Sequence, residues 1–349
     1  MDKKLIQNNI VINWGIIGLG NMANKFASSI NKVKNSKLIS IASTNFLRLK
    51  SFGDKYNIDK KYRYKNYDEI LNCDKINAIY ISTLNNTHPE IIMKAAKAKK
   101  NILCEKPVAT NYNDTIKVFE TLDKSNVFFL EAIAYRLHEQ TKFVINKIIE
   151  GEIGELKSIE STFGFTSKKI DPKSRLYNPG LGGGAILDVG CYPVSFSSLL
   201  ANLKKTNTPD PEIIDVSGSI CKTNVDDIAY ASLVFEKKII AKIGVAISLQ
   251  MKNQTSIIGT KGNILIYNPW LPDKKSIIEI NSKQRSYKSF INSELDIFGN
   301  QISNVSKCIL DGKKEADFPA MSWKDTINNM LVIDNWKKKL FEINNEKKN

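Results

Sequence analysis

The feature that most constrains the fold of this chain is a glycine-rich loop near its start. The loop, Gly18-Leu19-Gly20-Asn21-Met22-Ala23, follows the apolar run 10–17 and leads into a segment with helical periodicity at 22–33. Between a strand and a helix, the first glycine permits a tight turn, the second lets the backbone approach a diphosphate, and a small third residue allows close packing. Amides at the start of the helix then bind the phosphates. The loop predicts a doubly wound, Rossmann-type domain that binds a dinucleotide.

The segments after this loop extend the same pattern. Further apolar runs that read as buried strands lie at 37–42, 77–82, 101–104 and 127–130, and a helix that Pro89 opens runs to about residue 99. Alternation of strand and helix is typical of a parallel sheet covered on both faces. We therefore predict a Rossmann domain over residues 1–132.

The pattern changes after about residue 132. Longer segments, some of them alternating, read as strands at 154–163, 230–235, 239–247 and 263–267, with helices at 185–200 and at about 323–340. These lengths and turn residues favour a second, antiparallel sheet. We predict an α+β domain over residues 133–349 with an open, mostly antiparallel sheet, which makes the whole chain an α/β protein.

Composition excludes several classes of partner. The net charge is +15, but only five of the 51 basic residues are Arg and the rest are Lys spread along the whole chain, so no nucleic-acid interface is expected. Apolar runs are shorter than a membrane span, and no signal-peptide core follows Met1, so we expect a cytoplasmic protein without a membrane partner. Five scattered cysteines and two histidines predict neither a disulfide framework nor a metal site.

Two short stretches carry the candidate catalytic side chains. Glu105-Lys106-Pro107 follows the apolar run 101–104, and Asp188-Val189-Gly190-Cys191-Tyr192 sets Asp188 and Tyr192 four residues apart, on one face if the segment is helical. A free tyrosine has a pKa near 10, and a nearby ammonium favours its phenolate, so a lysine and a tyrosine that meet in a cleft form an acid/base pair. Together with the glycine loop, this pair predicts a nicotinamide-dependent oxidoreductase. Asp188 either orients the tyrosine or the substrate, or forms an ion pair or a helix cap.

The end of the second strand bears on the choice of cofactor. An acidic residue there favours NAD and an arginine favours the 2′-phosphate of NADP, but this chain has Ser43-Thr44-Asn45. Arg48 and Lys50 are close enough in sequence to approach a phosphate, and Ser43 can donate to one. The segment slightly favours NADP, with NAD as the alternative.

Several motifs together match a known family. The matching stretches are Trp14 to Gly20, Asn85-Asn86-Thr87-His88, Glu105-Lys106-Pro107, Glu131-Ala132 with Tyr135-Arg136, 151–154, and Leu181 to Pro193. With them the chain resembles the Gfo/Idh/MocA oxidoreductases. It is most similar to the branch of dimeric dihydrodiol dehydrogenase, NADP-dependent xylose dehydrogenase and glucose-fructose oxidoreductase, which has Tyr at position 192. That branch mostly prefers NADP, but it usually has Arg in place of Thr44 and Pro in place of Leu84.

The resemblance implies roles for most of these residues. Tyr192 would be the general acid/base, and Lys106 would lie near the nicotinamide ribose and the substrate oxygen. Cofactor contacts are expected, besides the glycine loop and the 43–48 segment, from Thr83, Asn85, His88, Glu105, Lys106, Glu131 and Arg136. His88 follows a strand at the carboxyl edge of the sheet. It either lies next to the cofactor, or it is a surface histidine or one that only supports its neighbours. The expected substrate is a sugar, polyol or dihydrodiol, and the expected assembly is a homodimer or homotetramer formed through the open face of the second sheet.

Two other functions stay open from the sequence. Relatives of this fold include NAD-dependent glycosidases that oxidise, eliminate and re-reduce without net cofactor turnover. A non-catalytic NADP-binding regulator is the other alternative, although such a protein has no chemical need for both Lys106 and Tyr192.

Overall fold

The computed structural model of the chain describes residues 10–203, 211–283 and 285–346. They form two compact units. The first unit comprises the chain up to Ala109, Asn113–Leu137 and Leu295–Thr326, and the second comprises Thr110–Tyr112, His138–Glu294 and the chain from Ile327 onward. The main change of unit, after Leu137, lies five residues beyond the boundary predicted at residue 132, and the segment Leu295–Thr326 lies outside the range predicted for the first domain.

The first unit is built on a six-stranded sheet in which every pair of neighbouring strands is parallel. Its strands are β1 (Ile12–Ile17), β2 (Ser36–Ala42), β3 (Arg63–Tyr64), β4 (Ala78–Ile81), β5 (Asn101–Cys104) and β6 (Phe129–Glu131). The strand order is β3-β2-β1-β4-β5-β6, so the direction of winding reverses between β1 and β4. This arrangement confirms the predicted doubly wound Rossmann sheet, and its switch point is the place where such sheets bind ligands.

Helices connect these strands. They are α1 (Asn21–Ile30), α2 (Phe46–Lys55), α3 (Tyr67–Leu71), α4 (His88–Lys97) and α5 (Tyr112–Asp123), of which α5 begins at a residue of the second unit. Inside the first unit, Phe26 of α1 stacks on Tyr80 of β4 with ring centroids 4.1 Å apart, and Trp14 of β1 packs edge-on against Phe26 at 5.3 Å. These buried rings hold α1 against the two strands that flank the switch point.

A helix from far along the chain also belongs to the first unit. It is α8 (Ile297–Leu310; α6 and α7 belong to the second unit), and its Ser306 hydroxyl accepts a hydrogen bond from Trp14 Nε1 at 3.1 Å and lies 2.7 Å from Ser36 Oγ. Because both contacts are buried, they tie α8 to β1 and β2.

The second unit contains an eight-stranded sheet with the order β14-β13-β12-β11-β7-β10-β9-β8. Its strands are β7 (Leu156–Gly164), β8 (Glu212–Ile220), β9 (Asp226–Phe235), β10 (Ile239–Ala246), β11 (Gln254–Gly259), β12 (Gly262–Tyr267), β13 (Lys275–Ser282) and β14 (Ser286–Asn292). Only β7 and β10 pair in parallel, and the other neighbours are antiparallel. The predicted mostly antiparallel sheet is confirmed.

The helices of the second unit are α6 (Glu139–Ile149), α7 (Cys191–Ala201) and α9 (Trp323–Glu346), the last of which starts in the first unit. The helical segment that ends in α7 packs against β7 and β10. Among the described residues, this segment, Pro179–Ala201, is the one that is long and apolar enough to cross a membrane, but 89% of its most apolar window is buried within the fold. Such burial is typical of a core helix.

Candidate functional site

The glycine loop turns directly over the switch point. Gly18 has a φ of +88°, and a Cβ there would lie 2.8 Å from the Ser82 carbonyl oxygen, so no other residue fits without a shift. A Cβ on Gly20 would meet no atom within 4 Å, which leaves the space in front of its backbone open. Helix α1 begins here without a side-chain cap and without an acidic residue in its first turn. These features fit the diphosphate of a dinucleotide.

The other predicted residues of the loop occupy the first turn of α1. Ala23 is fully buried, as its expected role in helix-strand packing requires, whereas Asn21 is exposed and Met22 is half-buried. Asn21 is therefore at the surface at the start of the helix, and Met22 is partly so.

The end of β2 lies next to the end of β3. The Ser43 N–H donates to the Tyr64 carbonyl at 3.2 Å, and Asn45 Oδ1 caps α2 by accepting the Arg48 N–H at 3.0 Å. Thr44 and Arg48 are exposed. Sequence analysis missed Lys65, which directly follows Tyr64 and whose Nζ lies 5.6 Å from the centre of the Phe46 ring at the start of α2. Its position just after a strand at the same edge is the signal that could have identified it.

The loop after β4 carries three predicted residues. Thr83 Oγ1 accepts a hydrogen bond from Thr87 at 2.8 Å, and Asn85 is buried. His88 begins α4 and is fully buried, with Nδ1 2.8 Å from the Pro107 carbonyl oxygen. Burial lowers the pKa of His88 to about 4, so the imidazole is neutral at physiological pH. The hydrogen bond to Pro107 joins His88 to the turn that carries Lys106, and a further backbone hydrogen bond joins it to Thr83.

The end of β5 places a buried carboxyl group beside Lys106. Glu105 accepts a hydrogen bond from the Tyr80 hydroxyl, and burial raises the pKa of Glu105 while the Tyr80 hydrogen bond and the Lys106 charge oppose the rise. Lys106 is half-buried. Pro107 follows it through a cis peptide bond.

A second buried carboxyl group lies at the end of β6. Glu131 Oε1 accepts the Val108 N–H at 3.0 Å, and the side chain is 2% exposed. Burial raises the pKa of Glu131 to about 7, against the opposing effects of hydrogen bonds with the Val108 N–H and the Thr326 side chain and of the charges on Arg136 and Lys106. This carboxyl group therefore titrates near neutral pH.

Arg136 lies deeper in the first unit. Its guanidinium is 1% exposed, donates to Asp325 Oδ2 at 3.0 Å and lies 3.5 Å from the Pro319 and Ala320 carbonyl oxygens. These contacts bind the segment Leu295–Thr326 to the rest of the unit. The cofactor contact predicted for Arg136 stays a prediction.

Asp188 and Tyr192 lie on one helical segment of the second unit, as expected, but its geometry is not uniform. Residues Ile186–Gly190 form a π-helical turn, and α-helical geometry starts at Cys191. Pro193 explains this change, because its ring lacks an N–H and would clash with the carbonyl four residues before it in a regular α-helix. Asp188 is buried and accepts a hydrogen bond from Arg175 Nη1 at 2.7 Å. Sequence analysis did not identify Arg175, which lies 13 residues away in an irregular loop.

Aromatic rings surround Tyr192. Phe163 packs edge-on at a centroid distance of 5.1 Å, Trp270 lies at 6.2 Å, and the Trp270 indole N–H donates to the Thr162 carbonyl at 2.8 Å. The Tyr192 side chain is 8% exposed. The rings fix the direction of the tyrosine on the helix.

The glycines before this helix make room for a carboxyl group of the protein. Gly184 has a φ of +115°, and a Cβ there would lie 2.3 Å from Asp226 Oδ1. Asp226 is buried, accepts the Ile186 N–H at 2.7 Å through Oδ2, and has a pKa that burial raises to about 6. The group that closely approaches Gly184 is thus the carboxyl group of Asp226, a residue that the sequence did not single out.

The first unit brings the predicted cofactor residues to one edge of its sheet, with Arg136 as the exception. Lys106 belongs to the first unit, and Asp188 and Tyr192 belong to the second. Among the described residues, no group of three His, Cys, Asp or Glu side chains could hold a metal ion.

Two protein-family models match the chain. Residues 12–132 match the Gfo/Idh/MocA model described as an oxidoreductase family with an NAD-binding Rossmann fold. Residues 144–265 match the Gfo/Idh/MocA C-terminal domain. The two matches fall in the two parts of the chain for which sequence analysis predicted separate domains.

Similar proteins agree with these matches. Trans-1,2-dihydrobenzene-1,2-diol dehydrogenase from Xenopus tropicalis is 30% identical over 330 residues, which cover 92% of this chain and 96% of the relative. An aldose-aldose oxidoreductase from Caulobacter crescentus, crystallised with glycerol, has a TM-score of 0.84 at 22% identity, covering 94% of this chain and 98% of its own. A 3-ketoreductase from Actinomadura kijaniata, crystallised with NADP and TDP-benzene, has a TM-score of 0.82 at 21% identity, with coverages of 94% and 97%. The two solved structures share the fold.

Proposed function

Because the chain belongs to the Gfo/Idh/MocA oxidoreductase family, we propose that this NAD(P)-dependent oxidoreductase transfers a hydride to or from a carbon of a sugar, polyol or dihydrodiol. The observation that carries the proposal is the 30% identity to a dihydrodiol dehydrogenase over nearly the whole chain. An aldose-aldose oxidoreductase and a 3-ketoreductase among the proteins of the same fold support a polyhydroxylated substrate.

We assign the proton transfer to Tyr192 and its electrostatic support to Lys106. Oxidation of an alcohol carbon releases a hydroxyl proton, and reduction of a carbonyl needs an acid, so one side chain must accept and return that proton. A bound nicotinamide supplies the hydride acceptor or donor. The Lys106 ammonium would stabilise the phenolate form of Tyr192 and a developing negative charge on the substrate oxygen.

Asp188 is proposed to orient the site rather than to transfer a proton. Asp188 lies four residues before Tyr192 on the same helical segment. Its carboxylate is buried and already accepts a hydrogen bond from Arg175. This ion pair would fix the orientation of the helical segment, and therefore the orientation of Tyr192.

For the cofactor we propose a slight preference for NADP over NAD. The segment Ser43-Thr44-Asn45 contains no acid that would repel a 2′-phosphate. Arg48 at the start of α2 and Lys65 beside Phe46 provide two cationic side chains at the same edge. They would take the place of the arginine that the branch usually has at position 44.

The test is turnover with a panel of substrates. Purified protein is incubated with NAD or NADP and aldoses, inositols or dihydrodiols, and the nicotinamide absorbance is followed. Steady reduction of the cofactor supports the proposal, and Tyr192→Phe is expected to lower kcat by at least about two orders of magnitude. Tyr287→Phe, in strand β14, and Lys97→Met, on the exposed side of α4, are the matched controls for Tyr192→Phe and Lys106→Met.

Two results would contradict the assignment. Glycoside cleavage that needs only catalytic amounts of NAD would instead support a redox-neutral glycosidase. Full turnover in both Tyr192→Phe and Lys106→Met would show that the proton is transferred elsewhere.

We also propose that the protein forms a homodimer or homotetramer through the open face of the second sheet. Ile214, Tyr230 and Ile240 are large side chains of this sheet that are 38–54% exposed. Sedimentation analysis of the wild type and of Tyr230→Glu tests this, because a charge on a buried interface is expected to dissociate the assembly. A wild type that sediments as a monomer would refute it.

A further inference from the structure

The peptide bond between Pro107 and Val108, one residue beyond Lys106, is held on both sides by buried ionisable side chains. The carbonyl oxygen of Pro107 lies 2.8 Å from His88 Nδ1. The N–H of Val108 donates to Glu131 Oε1 at 3.0 Å. These two atoms belong to one peptide unit, so both of its polar groups are fixed by side chains instead of by a neighbouring strand.

The order of the sheet explains why these side chains meet there. Strand β5, which leads into Lys106, lies between β4 and β6. His88 begins the helix that follows β4, and Glu131 ends β6, where it pairs with Cys104 of β5. The turn after β5 therefore lies between His88, which follows β4, and Glu131, which ends β6.

The chemistry of the partners fixes the ring hydrogen of His88. A peptide carbonyl only accepts hydrogen bonds, so Nδ1 must carry the hydrogen that bonds to Pro107. The other histidine, His138, differs, because its Nδ1 accepts the Gln140 N–H at 3.1 Å and its ring hydrogen must lie on Nε2. The two histidines of the chain are thus expected to hold opposite tautomers.

Core filling alone does not explain this pair. A carboxyl group that is 2% exposed and an imidazole that is fully buried both lose hydration, and an apolar residue would fill the same space without that cost. Each side chain uses a hydrogen bond on the same peptide, and neither hydrogen bond belongs to a helix or a strand. Their common partner is the turn that carries the lysine.

We propose that His88 and Glu131 are positioning residues that clamp the Pro107–Val108 peptide and thereby set the direction in which the Lys106 side chain leaves the sheet. The proposal rests on the function proposed above for Lys106. Glu131 also attracts the lysine charge, so a test must separate the clamp from the charge. Glu131→Gln keeps an acceptor oxygen and removes the charge, whereas Glu131→Met removes both.

The first measurement is hydrogen exchange of the Val108 amide in the full-length protein without substrate. Exchange is expected to be slow in the wild type and in Glu131→Gln, and about tenfold faster in Glu131→Met. Equal exchange in all three proteins would overturn the clamp. If Glu131→Met does not fold, fast exchange of the Val108 amide in the wild type would overturn it as well.

The second measurement is long-range ¹H–¹⁵N spectroscopy of the protein labelled in histidine. The chain has only two histidines, so His138→Gln assigns both signals. His88 is expected to be neutral with the hydrogen on Nδ1, and a hydrogen on Nε2 alone would refute the proposed bond to Pro107.

The third measurement is steady-state kinetics, which distinguishes positioning from a structural role. Glu131→Met and His88→Leu are expected to lower kcat by about tenfold or more with little change in the KM of the cofactor, while Glu131→Gln and His88→Asn recover most of kcat because they keep the acceptor and the donor. Loss of activity in Glu131→Gln as large as in Glu131→Met would refute the clamp in favour of the charge. If Lys106→Met itself keeps full turnover, the proposed function fails, and the exchange and tautomer measurements still decide whether the peptide is clamped.

Discussion

Tyr80 donates a hydrogen bond from its phenol to the buried carboxyl group of Glu105. The same ring stacks on Phe26 in the core of the first unit, so the residue before Lys106 is connected directly to the packing of β4 and α1. The position of Lys106 thus depends on a core aromatic residue as well as on its own turn.

Tyr80→Phe tests this connection. The substitution keeps the stacked ring and leaves a buried carboxyl oxygen without its donor, so the free energy of unfolding is expected to fall by about 1–3 kcal/mol. The pKa of Glu105 is expected to rise further, because the Tyr80 hydrogen bond lowers it in the wild type. Urea denaturation measures the first effect, with Tyr62→Phe, a half-buried tyrosine, as the control. Equal losses in both variants would mean that the hydrogen bond adds no stability.

Stability is expected to depend on pH through Glu131. Its pKa is about 7 in the folded protein and 4.5 for an ordinary glutamate, so the folded state binds more protons than the unfolded state between these values. The free energy of unfolding should therefore fall as pH rises from about 4.5 to 7, by about 3 kcal/mol in total, and stay level above that range. Glu131→Gln should remove this part of the pH dependence.

His88 acts in the opposite direction in part of the same range. Its pKa is lowered from 6.5 to about 4, so its contribution to stability is lost as pH falls through that interval. The Glu131 prediction is therefore read from the difference between wild type and Glu131→Gln in denaturation series from pH 4 to 8. A difference that does not change with pH would contradict the raised pKa of Glu131.

Gly184 and Gly151 provide a matched pair of substitutions. Both have positive φ values, but a Cβ on Gly184 would lie 2.3 Å from Asp226 Oδ1, whereas a Cβ on Gly151 would meet nothing within 4 Å. Gly151→Ala should cost about 1–2 kcal/mol, and Gly184→Ala about 3 kcal/mol or more. Combining Gly184→Ala with Asp226→Ala should recover part of the loss, because the clashing oxygen is gone. Strict additivity of the two changes would show that the contact is not the cause.

Cofactor selectivity should respond to single charges at the ends of β2 and β3. Lys65→Met is expected to weaken NADP binding by about tenfold relative to NAD, and Thr44→Arg to strengthen it by a similar factor. The ratio of the two dissociation constants, measured by fluorescence titration, reports both effects. Lys97→Met, which removes a charge from α4, should leave the ratio unchanged, and a similar change there would point to net charge alone.

The cofactor edge of the first sheet could be predicted closely because its signals are local. Gly18, Ser43 and Glu105 each follow a short apolar run directly, and parallel strands bring such residues to one edge. Strand β5 has the bounds that its sequence predicted. At this edge, the hydrophobic pattern and the turn residues are enough to predict both where the strands end and which residues follow them.

The second sheet was predicted less completely for a physical reason. Strand β8 shows no regular alternation of buried and exposed residues. Strand β14 alternates only between exposed and half-buried residues and has no buried one, so its sequence lacks the apolar face that identifies a strand. Asp226 and Arg175 were missed because their partners lie 40 and 13 residues away, and no periodic pattern reports a contact of that kind. The roles of His88 and Glu131 depend on a peptide that only the folded sheet brings between them.

Helix α8 has a consequence for how the protein is made. Ser306 completes the hydrogen bonds of Trp14 and Ser36 inside the first unit. A ribosome translates about 270 residues between Ser36 and Ser306, so the cofactor-binding unit stays unfinished on the nascent chain until most of the second unit has emerged. The domain that begins first is completed late, and a fragment cut after Leu137 would leave the indole N–H of Trp14 without its partner.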